Sequence, residues 1–249
     1  MEKSENLTVL IQQIRNLLAF HQGIGLTQYP ADPRLLSFLA QKQISTMPFK
    51  EGIACREPEP GYAPPPDVPL AEIAVAIEQC RRCSLHQGRI RAIAGNGAAQ
   101  ATLMIIEDQP GEIEESTGYP FAGEPGAMLD RMLSAMGFKR AEVSLTSIIK
   151  CRPPQDRDPD EHEIKTCLTY LTRQIAAVNP QVICTMGPLA AQTMTGKNQP
   201  LLRLRGHFHD YHGTPLMATF HPHFLIKNPE LKKACWDDLQ LVLEKLRQN

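Results

Sequence analysis

The segment Thr102-Leu103-Met104-Ile105-Ile106, followed by Glu107-Asp108-Gln109-Pro110-Gly111, predicts a short buried strand that ends in a turn. Apolar and β-branched residues in an unbroken run are typical of strands covered on both faces, and a Pro-Gly pair stops such a run. A second buried-type run at 182–186 ends in the same way, at Gly187-Pro188. Each of these runs is followed by a segment of helical periodicity or by a turn.

Strands and helices alternate along the rest of the C-terminal part. Further strands are predicted at 143–149 and 215–219, and helices at 127–136, 161–178 and 236–246. This rhythm predicts an α/β fold, a three-layer sandwich with a mostly parallel central sheet. In such sheets ligands bind outside the carboxyl ends of the strands. The polar or turn residues found there are Asp108, Ser147, Gly187 and His221.

The N-terminal part has a different composition. Apolar residues recur at helical spacing from Leu7 to Phe20, and Asp32-Pro33 is a typical start of a second helix. Prolines crowd the segment from Pro48 to Pro69, which predicts an extended linker. We therefore expect a helical N-terminal appendage at 1–46, a Pro-rich linker at 47–69 and a core domain at 70–249.

Composition restricts the function classes. The 249 residues are 42% hydrophobic, enough for one large domain with an appendage, and the net charge of −1 gives no global positive field for nucleic acid. No run reaches the roughly 18 apolar residues of a membrane span, and no apolar signal segment opens the sequence. Together with seven cysteines, an odd number, this predicts a cytoplasmic protein with reduced thiols.

Four cysteines form a candidate metal site. Cys80 and Cys83 make a C-x2-C pair, and Cys151 and Cys167 follow at a distance. Four thiolates suit either zinc or an iron–sulfur cluster, and spacing alone does not choose between them. Scattered structural thiols are the alternative, and Cys55, Cys184 and Cys235 fit that description.

These cysteines and several further motifs together resemble the family 4 uracil-DNA glycosylases, the iron–sulfur branch of the uracil-DNA glycosylase superfamily. The resemblance covers about residues 73–246. Its motifs are Gln109-Pro110-Gly111, Gly118-Tyr119-Pro120-Phe121-Ala122-Gly123, Lys150-Cys151-Arg152-Pro153-Pro154, Arg205-Gly206, His221-Pro222 and Lys233-Ala234-Cys235-Trp236-Asp237-Asp238-Leu239. The resemblance implies a uracil-DNA glycosylase-like fold and a 4Fe-4S cluster held by Cys80, Cys83, Cys151 and Cys167.

The family also implies an activity. It would be a monofunctional DNA-repair glycosylase that hydrolyses the N-glycosidic bond of a flipped damaged base, uracil first, and leaves an abasic site. Asp108 would orient or deprotonate the attacking water, and His221 would donate a hydrogen bond to the base carbonyl as negative charge develops there. Phe121 would stack on the base, and backbone amides around Gln109 and Gly111 would add donors. A turn role for Asp108 and His221 and a core role for Phe121 are the alternatives.

The expected partner is DNA with a damaged base, bound by a monomer. Arg203, Arg205 and Lys227 are candidate phosphate contacts, and Phe224 or Leu225 is the candidate wedge that fills the vacated stack. Solvated surface charge is the alternative for the basic residues.

Two positions depart from the family pattern. The family reads Gly-Glu-Ala-Pro-Gly after the first strand, so that Glu107 stands in place of glycine and Asp108 in place of glutamate. The second strand of the family ends in an asparagine that reads uracil, and here Ser147 occupies that place. The first change still allows an acid to hold water. The second predicts weaker discrimination of the base.

Two rival functions remain at this point. One is a catalytically weak or inactive relative that binds nucleic acid or a partner and uses the cluster as a structural staple. The other is an iron–sulfur redox protein, which is disfavoured because the sequence shows neither a flavin nor a nucleotide fingerprint beside the cysteines.

Overall fold

The computed structural model describes residues 69–248. In this part six strands form one sheet in the order β1-β3-β2-β4-β6-β5. The strands are β1 (Asn96–Gly97), β2 (Leu103–Glu107), β3 (Ser144–Ser147), β4 (Val182–Met186), β5 (Phe208–Tyr211) and β6 (Thr214–Thr219). The four central strands are parallel, and the strand at each edge is antiparallel. The mostly parallel sheet is therefore confirmed.

Helices connect and cover these strands. They are α1 (Leu70–Glu78), α2 (Glu112–Thr117), α3 (Gly123–Met136), α4 (Glu161–Val178), α5 (Pro188–Thr195), α6 (Leu201–Leu204), α7 (Pro222–Lys227) and α8 (Lys232–Arg247). Short 3-10 turns occur at Ser84–His86, Arg140–Glu142, Pro154–Asp156 and Pro229–Leu231. Among the described residues, no helix is both long and apolar enough to cross a membrane.

The pleat of the sheet divides the core in two. In β2, Leu103 and Ile105 pack into one cluster with residues of α3 and α8, whereas Met104 and Ile106 pack into another with residues of α1 and α4. Successive side chains of a strand point to opposite faces, so that a fully buried strand must be apolar on both. Each such side chain contributes about 1.5–3 kcal/mol by leaving water. This arrangement confirms the three-layer sandwich.

The predicted elements differ from the observed ones mainly at their ends. Helix 161–178 and strand 182–186 have the predicted bounds. The predicted strand 143–149 is Ser144–Ser147, and the helices predicted at 127–136 and 236–246 begin earlier, at Gly123 and Lys232. The predicted appendage and nearly all of the predicted linker lie outside the described residues.

Candidate active site and cysteine cluster

The carboxyl ends of the central strands bring the predicted site residues together. Glu107, the last residue of β2, is paired with Ser147 on one side and with Met186 on the other, and Met186 is paired with Thr219. The segments that follow these strand ends begin with Asp108, Gly187 and Phe220-His221. All four positions predicted from strand ends therefore lie at the carboxyl end of the parallel strands.

Asp108 is directed at the beginning of α5. Its Oδ1 accepts a hydrogen bond of 2.7 Å from the backbone N–H of Ala190. The approach requires glycine at position 187, where φ is +121° and a Cβ atom would lie 2.3 Å from Asp108 Oδ2. Burial raises the pKa of Asp108 to about 6, although the Ala190 and Leu189 amides favour the charged form. Asp108 is therefore mainly a carboxylate at neutral pH, with a basicity suited to accepting a proton from water.

His221 caps the first turn of α7 and is fixed at both ring nitrogens. Its Nδ1 accepts a hydrogen bond of 3.1 Å from the backbone N–H of His223. An accepting Nδ1 assigns the proton of the neutral ring to Nε2. That nitrogen lies 3.3 Å from Oε2 of Glu107, and the ring stacks on Phe121 with centroids 5.5 Å apart and planes 13° apart. The donor that was predicted for the base is thus directed at a buried carboxyl group.

Glu107 lies beside the predicted site residue His221, and in the sequence it stood out only as a departure from the family. It is 1% exposed, and its Oε1 has no hydrogen-bond partner within residues 69–248. Burial raises its pKa, while the hydrogen bond with His221 acts in the opposite direction. The available signal was an acid at the end of a buried strand, since Glu is almost never fully buried without a partner.

Phe121 lies in a rigid loop between α2 and α3. It is 1% exposed and has a φ of +50°. Arg140 donates to the carbonyl oxygens of Pro120 and Phe121 at 2.5 and 2.9 Å. The turn packs so closely against Gly126 that a Cβ there would lie 2.0 Å from the Phe121 oxygen. The ring of Phe121 is therefore held beside His221 by the backbone around it.

The predicted base-reading groups are partly engaged elsewhere. The hydroxyl of Ser147, which is completely buried, donates to the Ile149 carbonyl at 2.7 Å. The amide of Gly111 donates to Glu114 Oε2 at 3.1 Å. Gln109 donates through Nε2 to the Arg157 carbonyl at 3.3 Å, and its Oε1 is buried without a partner among the described residues. Of these groups, Gln109 retains an unpaired oxygen, and Ser147 retains lone pairs on a completely buried hydroxyl.

The predicted DNA-binding residues fall into two groups. Arg203 and Lys227 are exposed, and Phe224 is half-buried and stacked on Phe220 at 5.6 Å. Leu225, in contrast, is 2% exposed and part of the core. Arg205 binds both carboxylate oxygens of the buried Asp238, at 3.0 and 2.9 Å. Its guanidinium group therefore already has an anionic partner inside the protein.

The four predicted cysteine ligands lie in one region of the core. Cys83, Cys151 and Cys167 are buried and belong to the α1 and α4 side of the sheet, and Cys80 packs against them half-buried. Arg89 ties this region together, because it donates to Cys151 Sγ at 3.0 Å and to the Cys80 carbonyl at 2.8 Å. Burial raises the pKa of Cys167 to about 11. Thiols in such a setting stay protonated unless a metal displaces the proton.

No set of three His, Cys, Asp or Glu side chains within residues 69–248 is arranged to hold a single metal ion. The four thiols nevertheless belong to segments that the fold brings together. They follow α1, follow β3 and lie within α4. Soft sulfur ligands gathered from three segments fit a thiolate-ligated group.

Comparison with known proteins identifies a family. The uracil DNA glycosylase superfamily matches residues 94–240. The chain is 36% identical to a type-4 uracil-DNA glycosylase of Saccharolobus solfataricus over 183 residues, which cover 70% of this chain and 85% of that protein. Similar proteins of the same name are found in Archaeoglobus fulgidus, with 31% identity over 70% of this chain and 92% of that protein, and in Thermotoga maritima, with 32% identity over 68% and 90%.

Proposed function

Because the chain belongs to the type-4 branch of the uracil-DNA glycosylase superfamily, we propose that it is a monofunctional DNA glycosylase that hydrolyses the N-glycosidic bond of uracil in DNA and leaves an abasic site. The observation that carries this proposal is the placement of Asp108 and His221 at the carboxyl ends of β2 and β6, on either side of β4, one a carboxylate at neutral pH and the other a neutral ring with its proton on Nε2. The reaction needs a group that handles water and a group that stabilises the departing base.

Asp108 acts on the water side. The C1′–N bond breaks with its electron pair going to the base, and the water oxygen forms the new bond to C1′. The carboxylate of Asp108 orients the water, takes its proton and balances the positive charge on the sugar. Its contact with the Ala190 amide holds the carboxylate in place, so that no reorganisation is required during the step.

His221 supplies the hydrogen-bond donor on the base side. Because the His223 amide occupies Nδ1, the proton on Nε2 is fixed before substrate binds. Phe121, stacked with this ring and 1% exposed, would stack on the flipped base once base binding uncovers it. Removing one preorganised donor typically costs roughly 10²–10³-fold in rate.

The DNA backbone is bound by the exposed cations near α6 and α7. Arg203 and Lys227 are free to contact phosphates, and Phe224 is the better wedge because Leu225 is buried in the core. Arg205 contributes indirectly, by anchoring α8 beside this surface through Asp238. An overall charge of −1 leaves such a local patch as the source of affinity.

A 4Fe-4S cluster would be held by Cys80, Cys83, Cys151 and Cys167. When bound, it supplies a covalent cross-link between three segments rather than a reacting group. The Cys151 loop continues into Arg152 and Pro153, and Arg157, a little further along, receives the side chain of Gln109 on its carbonyl oxygen. The cysteine site therefore positions the turn that follows β2.

Excision from single-lesion oligonucleotides tests the proposal. Duplexes and single strands that contain uracil, other deaminated bases or no lesion are incubated with enzyme, and abasic sites are cleaved and counted. Asp108→Asn and His221→Ala are each expected to lower uracil excision by roughly 10²–10³-fold while DNA binding is retained.

The matched controls are Asp237→Asn and His212→Ala, which change exposed residues of the same types. Both should cleave like the parent. If the parent binds DNA but forms no abasic site on any lesion, the chain is a binding protein of this superfamily. If the parent is active and both site variants are equally active, the catalytic roles are wrong.

A further inference from the structure

The two carboxyl oxygens of Glu107 differ in their hydrogen bonding. One oxygen, Oε2, is 3.3 Å from the His221 nitrogen that carries the proton. The other, Oε1, is fully buried and has no partner among the described residues. A buried oxygen without a partner is costly, typically by about 1–3 kcal/mol, unless a ligand completes it. Oε1 therefore retains a hydrogen-bonding position for a further group.

Within residues 69–248, no Lys or Arg forms an ion pair with Glu107, although Lys150 is close enough to interact with its charge. Asp108 is its neighbour in sequence, and Glu114 of α2 is a second nearby acid. Lys150, after β3, is buried and bonds instead to Thr146 Oγ1, the Ser147 carbonyl and Gln174 Oε1. His221 is neutral when its Nδ1 accepts the His223 amide.

This environment favours the neutral form of the acid. Burial disfavours a carboxylate and raises the pKa of Glu107, and the nearby acid Glu114 does so further, although the His221 side chain and the Phe121 amide act in the opposite direction. A neutral carboxyl group that accepts at Oε2 carries its proton on Oε1, so that Oε1 becomes a donor without an acceptor. The missing partner is then an acceptor, such as the carbonyl oxygen of a base.

We propose that Glu107 is a further catalytic residue, a neutral carboxylic acid that accepts the His221 Nε2–H on one oxygen and donates from the other to the carbonyl oxygen of the departing base. The inference rests on the proposed function and refines it, since the hydrogen bond of His221 then reaches the base through Glu107. Phe121, whose ring lies against His221, would place the base beside this donor.

The step is balanced without any added reagent. As the C1′–N bond breaks, its electron pair moves onto the base and increases the negative charge on the carbonyl oxygen. The hydrogen bond from Glu107 Oε1 to the base strengthens with this charge. The His221 Nε2–H, which is donated to Oε2, stabilises the negative charge that shifts onto the carboxyl group. The water proton goes to Asp108, and the released base takes its proton from solvent. Two acids with opposite protonation states thus serve the two ends of one bond.

Three substitutions of Glu107 test the proposal under single-turnover conditions. Glu107→Gln keeps an acceptor for His221 and an N–H donor for the base, and is expected to stay within roughly 10-fold of the parent. Glu107→Leu keeps the volume but removes the donor, and should lose roughly 10²–10³-fold. Glu107→Gly opens the site and should also be slower than the parent.

The pH profile separates a catalytic from a structural role. Parent activity should fall as pH rises through the titration of Glu107, because the carboxylate cannot donate, and the Gln variant should lack this alkaline decline. The double variant Glu107→Leu/His221→Ala should be little worse than either single variant, since the two groups act in series. Thermal unfolding checks that the variants are folded, and the Gln variant retains the test if the Leu variant is not.

Several results would overturn the inference while leaving the proposed function intact. If Glu107→Gly is faster than the parent, Glu107 obstructs the site. The inference also fails if Glu107→Leu is as active as the parent, or if Glu107→Gln retains the alkaline decline in activity. A parent that excises no base would instead refute the proposed function itself.

Discussion

Ser147→Asn should improve the discrimination of uracil from cytosine. In the structure, the Ser147 hydroxyl gives its only hydrogen to the Ile149 carbonyl at 2.7 Å. Once base binding uncovers this completely buried side chain, its oxygen can accept the N3–H of uracil but cannot donate to O4. An asparagine amide provides one acceptor and two donors and can bind both atoms.

The size of the effect follows from the one contact that is gained. A paired polar contact to a base is worth about 1–3 kcal/mol, which corresponds to roughly 5–150-fold in the ratio of uracil to cytosine excision. The variant should be less stable, because it loses a hydrogen bond worth about 1 kcal/mol and adds volume at a completely buried position. A lower Tm with higher selectivity is therefore the expected combination.

The assay compares single-turnover excision of uracil and cytosine from otherwise identical oligonucleotides. Ser147→Ala is the control, since it removes the hydroxyl without adding an amide and should be no more selective than the parent. The reasoning is refuted if the parent already excises uracil rapidly and cleanly and the Asn variant is no better. In that case Gln109, whose Oε1 is buried without a partner in the described part of the chain, becomes the candidate reader of the base edge.

Two further predictions concern the cysteine site and an acid-sensitive ion pair. Cys151→Ser should lower the iron content, the acid-labile sulfide content and the visible absorbance of protein prepared anaerobically. Cys184→Ser changes a buried cysteine outside the site and should leave all three unchanged. Parent protein that is colourless and contains zinc would contradict the cluster. The hydrogen bonds of Arg157 to Glu163 hold the pKa of that carboxyl group at about 2, so its stabilising effect is present above the pKa of an unfolded Glu and is lost as pH falls toward 2. Arg157→Ala should therefore lower Tm at neutral pH and weaken the dependence of Tm on pH in the acid range. Lys165→Ala, which removes the exposed ion pair with Glu161, should do neither. The prediction is wrong if the parent and Arg157→Ala unfold identically in acid.

The sequence predicts the centre of the sheet well and its edges poorly. β4 and α4 have the predicted bounds because a continuous apolar run and a long 3.6-residue period have few alternative interpretations. The edge strands β1 and β5 escaped prediction, since Asn96–Gly97 is only two residues long and Phe208–Tyr211 contains a histidine and an aspartate. Their conformation is imposed by the neighbouring strands rather than by their own composition.

The end of β3 shows the same limit in a different form. Ile148 and Ile149 are apolar and buried, so the sequence extends the strand through them. Their amides do bond to the carbonyl oxygens of Glu107 and Asp108, at 2.9 and 3.2 Å. The strand nevertheless ends at Ser147, where the Ser147 hydroxyl and the Lys150 ammonium bond back to nearby groups of the chain. Local hydrogen bonds of this kind are not visible in a hydrophobic pattern.

For the site, the sequence predicts where a residue lies in the fold but not which residue it binds. The strand-end rule places Asp108 and His221 at one edge. It does not reveal that Arg205, expected to contact phosphate, has its partner in Asp238 of the last helix. Nor does it reveal that His221 meets Glu107, which is far away in sequence. Both contacts depend on how distant helices and strands pack against each other, and the local spacing of residues in a sequence does not predict this packing.

The pleat of β2 explains why two adjacent acids can have different roles. Neighbouring side chains leave a strand on opposite faces, so Glu107 follows Leu103 and Ile105 toward α3, whereas Asp108 turns toward α5. On the α5 side, backbone N–H groups favour the charged form and keep the pKa of Asp108 at about 6 despite burial. On the other side, burial and the nearby acid Glu114 favour the protonated form of Glu107 more than the His221 hydrogen bond favours the carboxylate. Deprotonation of Asp108 should therefore raise activity and deprotonation of Glu107 should lower it, because the first acid must accept a proton and the second must donate a hydrogen bond.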